Sequence, residues 1–268
     1  MPDGNHKGPS LDIRHFSDID AASDPGRFIA FLEHVEGLKW LQATREASFG
    51  LLALKPGEHM VEIGCGPGTA VKLLRERGIE AVGVDASRAM VQHARRKVPD
   101  AEFCQAVAAA LPFADHSQDG YRAERVYEHL HDPGSALREA RRVLRPGGRI
   151  TLLDLDYDLW AVDADDLDVT RSLQRAMAET VASPRIGRRY LSLLRDAGFQ
   201  DVKVQVLTHV LTDFREAEPL LSAAAHAGTA TGRAKAEQVE AWLGEQRARA
   251  DAGRLCLVLP MFLASGLA

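Results

Sequence analysis

A chain of 268 residues, 46% of them apolar, has room for one large α/β domain with insertions or for two small ones. A formal charge of −5 leaves no global basic field, so nucleic acid is not expected as a partner. No apolar run reaches the roughly 18 residues of a membrane span. Cys65, Cys104 and Cys256 lie far apart without a C-x-x-C pair, which reads as a reduced, cytoplasmic protein with no structural zinc or other metal.

Residues 1–27 read as a flexible segment, and the polar opening "MPDGNHKGPS" lacks the apolar stretch of a signal peptide. From Phe28 to Leu54 apolar residues recur at helical spacing: Phe28, Phe31, Leu32, Val35, Leu38 and Leu41. After the turn "LKPGEH", "MVEIG" is a short buried strand. "TAVKLLRERG" is a helix that Gly78 ends in the left-handed conformation. "IEAVGVD" is the next strand, and Ser87 N-caps the helix "SRAMVQHARRKV". "AEFCQAV" is a third strand and "GYRAERV" a weaker fourth. Ala136, Leu137, Ala140, Val143 and Leu144 form the stripe of a helix, "RPGG" turns, and "RITLLDLD" is a strongly apolar strand. Strands alternating with helices over short loops predict an α/β fold, a parallel sheet with helices on both faces. Beyond Asp156 the rhythm breaks. Residues 157–183 are acidic and partly helical, "GRRYLSLLRDAGF" is a helix, and "VKVQVLTHVL" and "RLCLVLPMFLA" are closing strands. Residues 213–253 are rich in Ala and Glu and too long for a structureless loop. They read as a helical lid, and 157–183 as a cap, on one domain spanning residues 28–268.

The stretch "MVEIGCGPGTA" puts Gly64, Gly66 and Gly68 at alternate positions around Cys65, between a strand and a helix. Glycine is kept where φ must be positive or where a ligand approaches the backbone. The spacing is G-x-G-x-G; the dinucleotide fingerprint needs glycine or alanine where Thr69 stands, so the loop departs from a nicotinamide-cofactor site. Asp85 closes the second strand 21 residues past Gly64. A carboxylate there accepts hydrogen bonds from a ribose diol; alone, it would serve equally as a helix cap. Loop and Asp85 together point to an adenosine-bearing ligand.

With "GVDAS", "LPFADHSQDG" and "ALREARRVLRPGGRI", these motifs resemble class I S-adenosylmethionine-dependent methyltransferases, nearest the ubiquinone/menaquinone-type and natural-product groups, over about residues 58–155. The resemblance implies a Rossmann-like, mostly parallel seven-stranded sheet and S-adenosyl-L-methionine as cofactor. It puts Gly64–Gly68 against the methionine part, Glu62 at the loop and the amino group, and Asp85 on the ribose. Ala86 and Met90 would flank the adenine, and the Ala108 backbone would face its edge. Val107 stands where the family often has an acid; valine cannot accept from the adenine amino group, a bond worth only about 0.5–1.5 kcal/mol. Arg122, with Glu124 and Arg125, is either part of a salt-bridged edge or a contact to the cofactor carboxylate.

A methyl group already activated by its cofactor needs mainly orientation from the protein. His129, in "YEHLHDP", is the best single candidate for a base, and no orienting carboxylate is evident beside it. Tyr157 and Trp160 follow the fifth strand, where they would shape an acceptor pocket. The expected activity is in-line methyl transfer to O, N or C of a small molecule, a secondary metabolite or a quinone-like compound. The alternatives are a protein of the same fold that binds the cofactor without methylating (a pericyclase, decarboxylase or scaffold) and, further off, a nicotinamide-dependent oxidoreductase. A homodimer is left open.

Overall fold

The computed structural model describes residues 19–268; residues 1–18, most of the segment read as flexible, lie outside the described residues. The rest of that segment holds a 3-10 turn, Ile19–Ala21, and the start of helix α1, Pro25–Glu36, N-capped by Asp24. Gly37 and Leu38 separate α1 from α2, Lys39–Leu52, so the single helical pattern from Phe28 to Leu54 is two helices.

The alternating elements then follow: β1 His59–Ile63, α3 Thr69–Arg75, β2 Glu80–Asp85, α4 Arg88–Lys97, β3 Glu102–Gln105, β4 Gln118–Glu124, α5 Pro133–Val143 and β5 Leu144–Leu155. A short β6, Ala161–Val162, and α6, Leu167–Ala178, precede α7, Ile186–Asp196, and β7, Gln200–Leu211. Helices α8, Phe214–Ala230, and α9, Ala236–Asp251, fill the long insertion before β8, Leu257–Leu267. The sheet runs β3-β2-β1-β4-β5-β8-β7, with β6 pairing the start of β8. β1 to β5 are mutually parallel and β8 is antiparallel to both neighbours. The two-residue β6 is the only addition to the seven expected strands. Strand order reverses between β1 and β4, which opens a crevice at their carboxyl ends.

Period-two alternation sorts β1 and β4 between two faces. Val61, Ile63, Tyr121 and Ala123 pack with α5 and α7 through Leu137, Ala140, Ile186 and Tyr190. Met60 packs on the opposite side with Phe49 and Leu52 of α2 and Val71 and Leu74 of α3. A third cluster joins α6, α8 and α9 to α2 and β8, where Trp242 Nε1 donates to Thr170 Oγ1 at 2.9 Å.

Between α2 and the sheet lies a charged layer, because Glu62, Arg122 and Glu124 point to the same face as Met60. Arg45 donates to both Glu124 oxygens, at 2.9 and 2.8 Å. Arg122 donates to Ser48 Oγ at 2.7 Å and to Glu62 Oε1 and Glu124 Oε2. All four charged residues are buried. Burial would raise the Glu124 carboxyl, but Arg45 and Arg122 outweigh it and hold it far below the usual range. Removing one member of a buried ion pair strands the other, typically at about 3–5 kcal/mol. Glu124→Ala should therefore lose stability on that scale, and Glu124→Gln less, read from denaturant midpoints at unchanged slope; losses within about 0.5 kcal/mol would contradict a stabilising layer.

Candidate functional site

The glycine loop leaves β1 at the sheet's order reversal. Gly64 has φ +61°, and a Cβ there would meet Val126 Cγ2 at 2.4 Å. Gly66 has φ +49°, and a Cβ on it would meet nothing closer than Leu32 Cδ1 at 3.7 Å. The first glycine is thus demanded by packing and φ together. The second turns open backbone toward the crevice. Asp85, at the end of β2, clamps the loop: Oδ2 accepts from Gly66 N–H at 3.0 Å and Oδ1 from Ser87 N–H at 2.9 Å. Burial pushes its carboxyl above the ordinary aspartate value, and those two amides pull it back. Ser87 caps α4 by accepting from Met90 N–H. Asp20, from the N-terminal segment, accepts from Ser87 Oγ at 2.6 Å and from the amides of Arg88 and Ala89, which holds that segment over the adjacent crevice.

A cavity of about 320 Å³ extends from this loop to the cap helices. Glu62, Gly64, Cys65, Gly66, Asp85, Ala86, Met90, Val107, Ala108, His129 and Tyr157 all line it, so most of the residues singled out from the sequence meet in one place. Val107 is 54% exposed at its edge. Three expected residues stand elsewhere. Gly68 is the left-handed residue before α3 and packs toward Phe103 and Ala94. Arg122, left open between a salt-bridged edge and a cofactor contact, is enclosed in the charged layer, where it braces Glu62. Trp160 is turned into the core, with its carbonyl accepting from Gln174 Nε2 at 2.6 Å.

The cavity also gathers Glu36, Arg45 and Glu128, which the sequence reading did not select, and Arg125, which it grouped with Arg122 and Glu124. Arg45 was detectable, as an arginine on the inward stripe between Leu41 and Phe49. Arg125 is a non-glycine residue at φ +55°, for which the sequence carried no signal. Glu128 Oε1 lies 3.4 Å from His129 Nε2, so a carboxylate does stand beside the histidine. Burial pushes Glu62 up to about 7, with the Arg122 charge opposing. The Glu62 contribution to stability is then fullest below its ordinary value of 4.5 and is lost as pH rises through about 7.

Five of the described residues that line the cavity carry a buried polar atom without a hydrogen-bond partner: Glu36 Oε2, Trp40 Nε1, Glu62 Oε2, Arg125 Nε and Glu128 Oε2. Glu62 Oε2 suits a cation and Arg125 Nε an anion, as the ammonium and carboxylate of an amino-acid ligand require. Among the described residues, no cluster of His, Cys, Asp and Glu could hold a metal ion, and no helix is long and apolar enough to cross a membrane.

The profile of the methyltransferase domain family matches residues 61–152. An uncharacterized 37.1 kDa protein in transposon TN4556 of Streptomyces fradiae is 34% identical over 72% of this chain and 58% of its own length. O-methyltransferase resE of Aspergillus sclerotiorum is 31% identical over 59% of this chain and 60% of its own. The chain thus spans somewhat more than half the length of these curated relatives. The fold matches that of a Haemonchus contortus phosphoethanolamine N-methyltransferase, solved with phosphomonomethylethanolamine and S-adenosylhomocysteine, with TM-score 0.61 at 18% identity over 96% of this chain and 60% of that one. Residues 61–152 thus belong to the methyltransferase domain family, within a fold shared with solved methyltransferases.

Placing an L-residue at left-handed φ costs about 1–2 kcal/mol, and at Gly64 the Val126 contact adds to it. Gly64→Ala should lose more stability than Gly66→Ala, and adding Val126→Ala should recover only the steric share. Equal losses at both glycines, measured by urea denaturation, would show that Val126 does not confine the loop.

Proposed function

We propose that this chain transfers a methyl group from S-adenosylmethionine to a small-molecule acceptor held in the same cavity. The observation that carries this is the cavity's polarity. One end combines the glycine cradle, Asp85 and the unpartnered Glu62 Oε2; the other is walled by apolar side chains of α6, α8 and β8. The cofactor, when bound, supplies a methyl group already activated on a sulfonium. The chain's part is to bind, align and keep water out.

Asp85 would hold the ribose hydroxyls. Each of its oxygens accepts one amide, and a carboxylate has about four acceptor positions, so two remain for a diol. Glu62 would take the ammonium and Arg125 the carboxylate. Ala86, Met90 and Ile19 would enclose the adenine, with the Ala108 backbone at its edge and Val107 packing where the family often has an acid. The cap formed by α6 and α8 would close over the acceptor. The enclosed cavity and the negative net charge favour a small molecule over nucleic acid. The free thiols of Cys65, Cys104 and Cys256 suit a reducing, cytoplasmic setting.

Calorimetry should find S-adenosylmethionine or S-adenosylhomocysteine binding and no response to NAD; the reverse would sink the assignment. Asp85→Ala should weaken binding about ten- to a hundredfold, the scale of a charged hydrogen bond. Asp85→Asn should weaken it less, and equal losses would remove Asp85 from the ribose. With candidate acceptors, mass spectrometry should register a gain of one methylene.

A Glu62 carboxyl near pH 7 makes a further prediction. The charged form attracts an ammonium, so affinity should rise between pH 6 and about 7.5 as Glu62 loses its proton. Glu62→Gln should flatten that rise. A wild-type affinity constant across the range would mean that Glu62 does not face the amino group.

A further inference from the structure

Among the polar groups that line the cavity is the carboxylate of Glu128. Glu128 follows β4 in the 3-10 turn Tyr127–His129, is 3% exposed and lines the cavity. Its backbone is pinned: its N–H donates to Asp154 Oδ1 at 3.2 Å, and its carbonyl accepts from Ser183 N–H at 2.8 Å. Oε1 faces His129, the Tyr157 hydroxyl stands beside the carboxylate as a hydrogen-bonding neighbour, and Oε2 has no close partner of its own. Leu155, Tyr157, Met177, Leu220, Ala223 and Leu259 supply the chamber's largely apolar wall.

A buried acceptor left without a donor is costly, by about 1–3 kcal/mol or more when charged. Two neighbouring buried carboxyls do not both ionise readily. Burial first, and then the Glu128 charge, push the Asp154 carboxyl well above its ordinary range, while the Tyr190 hydroxyl donates to it. Burial and the Glu128 carboxylate beside it likewise keep the Tyr157 phenol protonated.

Resting on the methyltransferase reading, we propose that Glu128 selects the acceptor: Oε2 takes a hydrogen bond from a neutral hydroxyl on an apolar skeleton, and acceptors presenting an anion there are refused.

The test is titration of the full-length protein, with and without S-adenosylhomocysteine, against 1-naphthol, 1-methoxynaphthalene and 1-naphthoate. Wild type should bind naphthol about ten- to a hundredfold more tightly than the ether, and naphthoate more weakly than naphthol. Glu128→Gln should shrink the first gap and admit naphthoate. Glu128→Leu should bring naphthol and ether within about threefold, while S-adenosylhomocysteine still binds. Should either variant fail to fold, the wild-type comparison decides alone. No naphthol binding, equal affinity for naphthol and its ether, or naphthoate binding as tightly as naphthol overturns the proposal. Loss of S-adenosylhomocysteine binding in wild type would instead count against the methyltransferase reading.

Discussion

The charged layer between α2 and the sheet is the constraint on which the site rests. Arg45 and Arg122 bracket Glu124, Arg122 also holds Glu62, and none of the four is open to water. Hydrophobic residues of similar size would often be as stable there or more so. What the ions add is position. Arg122 occupies one Glu62 oxygen and leaves the other at the cavity. Arg45 and Glu124 reach the cavity wall while pinning α2 across the carboxyl ends of β1 and β4. A helix sliding one turn along the sheet would part Arg45 from Glu124 and Ser48 from Arg122.

From that anchor the site divides in two. The cofactor end is built from backbone and acids. Gly64 and Gly66 supply left-handed turns, Asp85 ties the β1 loop to the start of α4, and Asp20 brings the N-terminal segment to the same helix. The acceptor end is built from late elements of the chain, β8 and the α6 and α8 cap, whose shared core includes Leu173, Leu221 and Met261. A second buried polar group, Asp154 with Tyr190, lies beneath Glu128 and fixes its turn. The cavity thus meets a cationic, hydrogen-bonding ligand at one end and an apolar one at the other.

Much of the first half was legible in the sequence, for local reasons. Glycine spacing, Asp85 at a strand end and Ser87 before a helix are signals within a few residues, and the alternation of "MVEIG" with helical periods implied the parallel sheet. Arg122 stood open between a salt-bridged edge and a cofactor contact because, as a strand residue beside Glu124, its two faces cannot be told apart without knowing what covers them; α2 covers the charged one, and the salt-bridged arrangement is the one formed. Trp160 follows a strand end as pocket residues do, but the turn after Asp156, where Asp158 N–H donates to Asp156 Oδ1, directs it to the core. Glu128 was overlooked beside its more conspicuous neighbour His129. Its surroundings come from the end of β5, with Asp154 and Tyr157, and from Met177 of α6, and no local pattern announces such a meeting.

A crystal structure with S-adenosylhomocysteine tests the central claim most directly. The account predicts the ribose diol on Asp85, the ammonium within hydrogen-bond reach of Glu62 Oε2, and the sulfur directed toward the chamber that holds Glu128 and Tyr157. A ligand outside this cavity, or inside it with the ribose away from Asp85 and the ammonium away from Glu62, would contradict it.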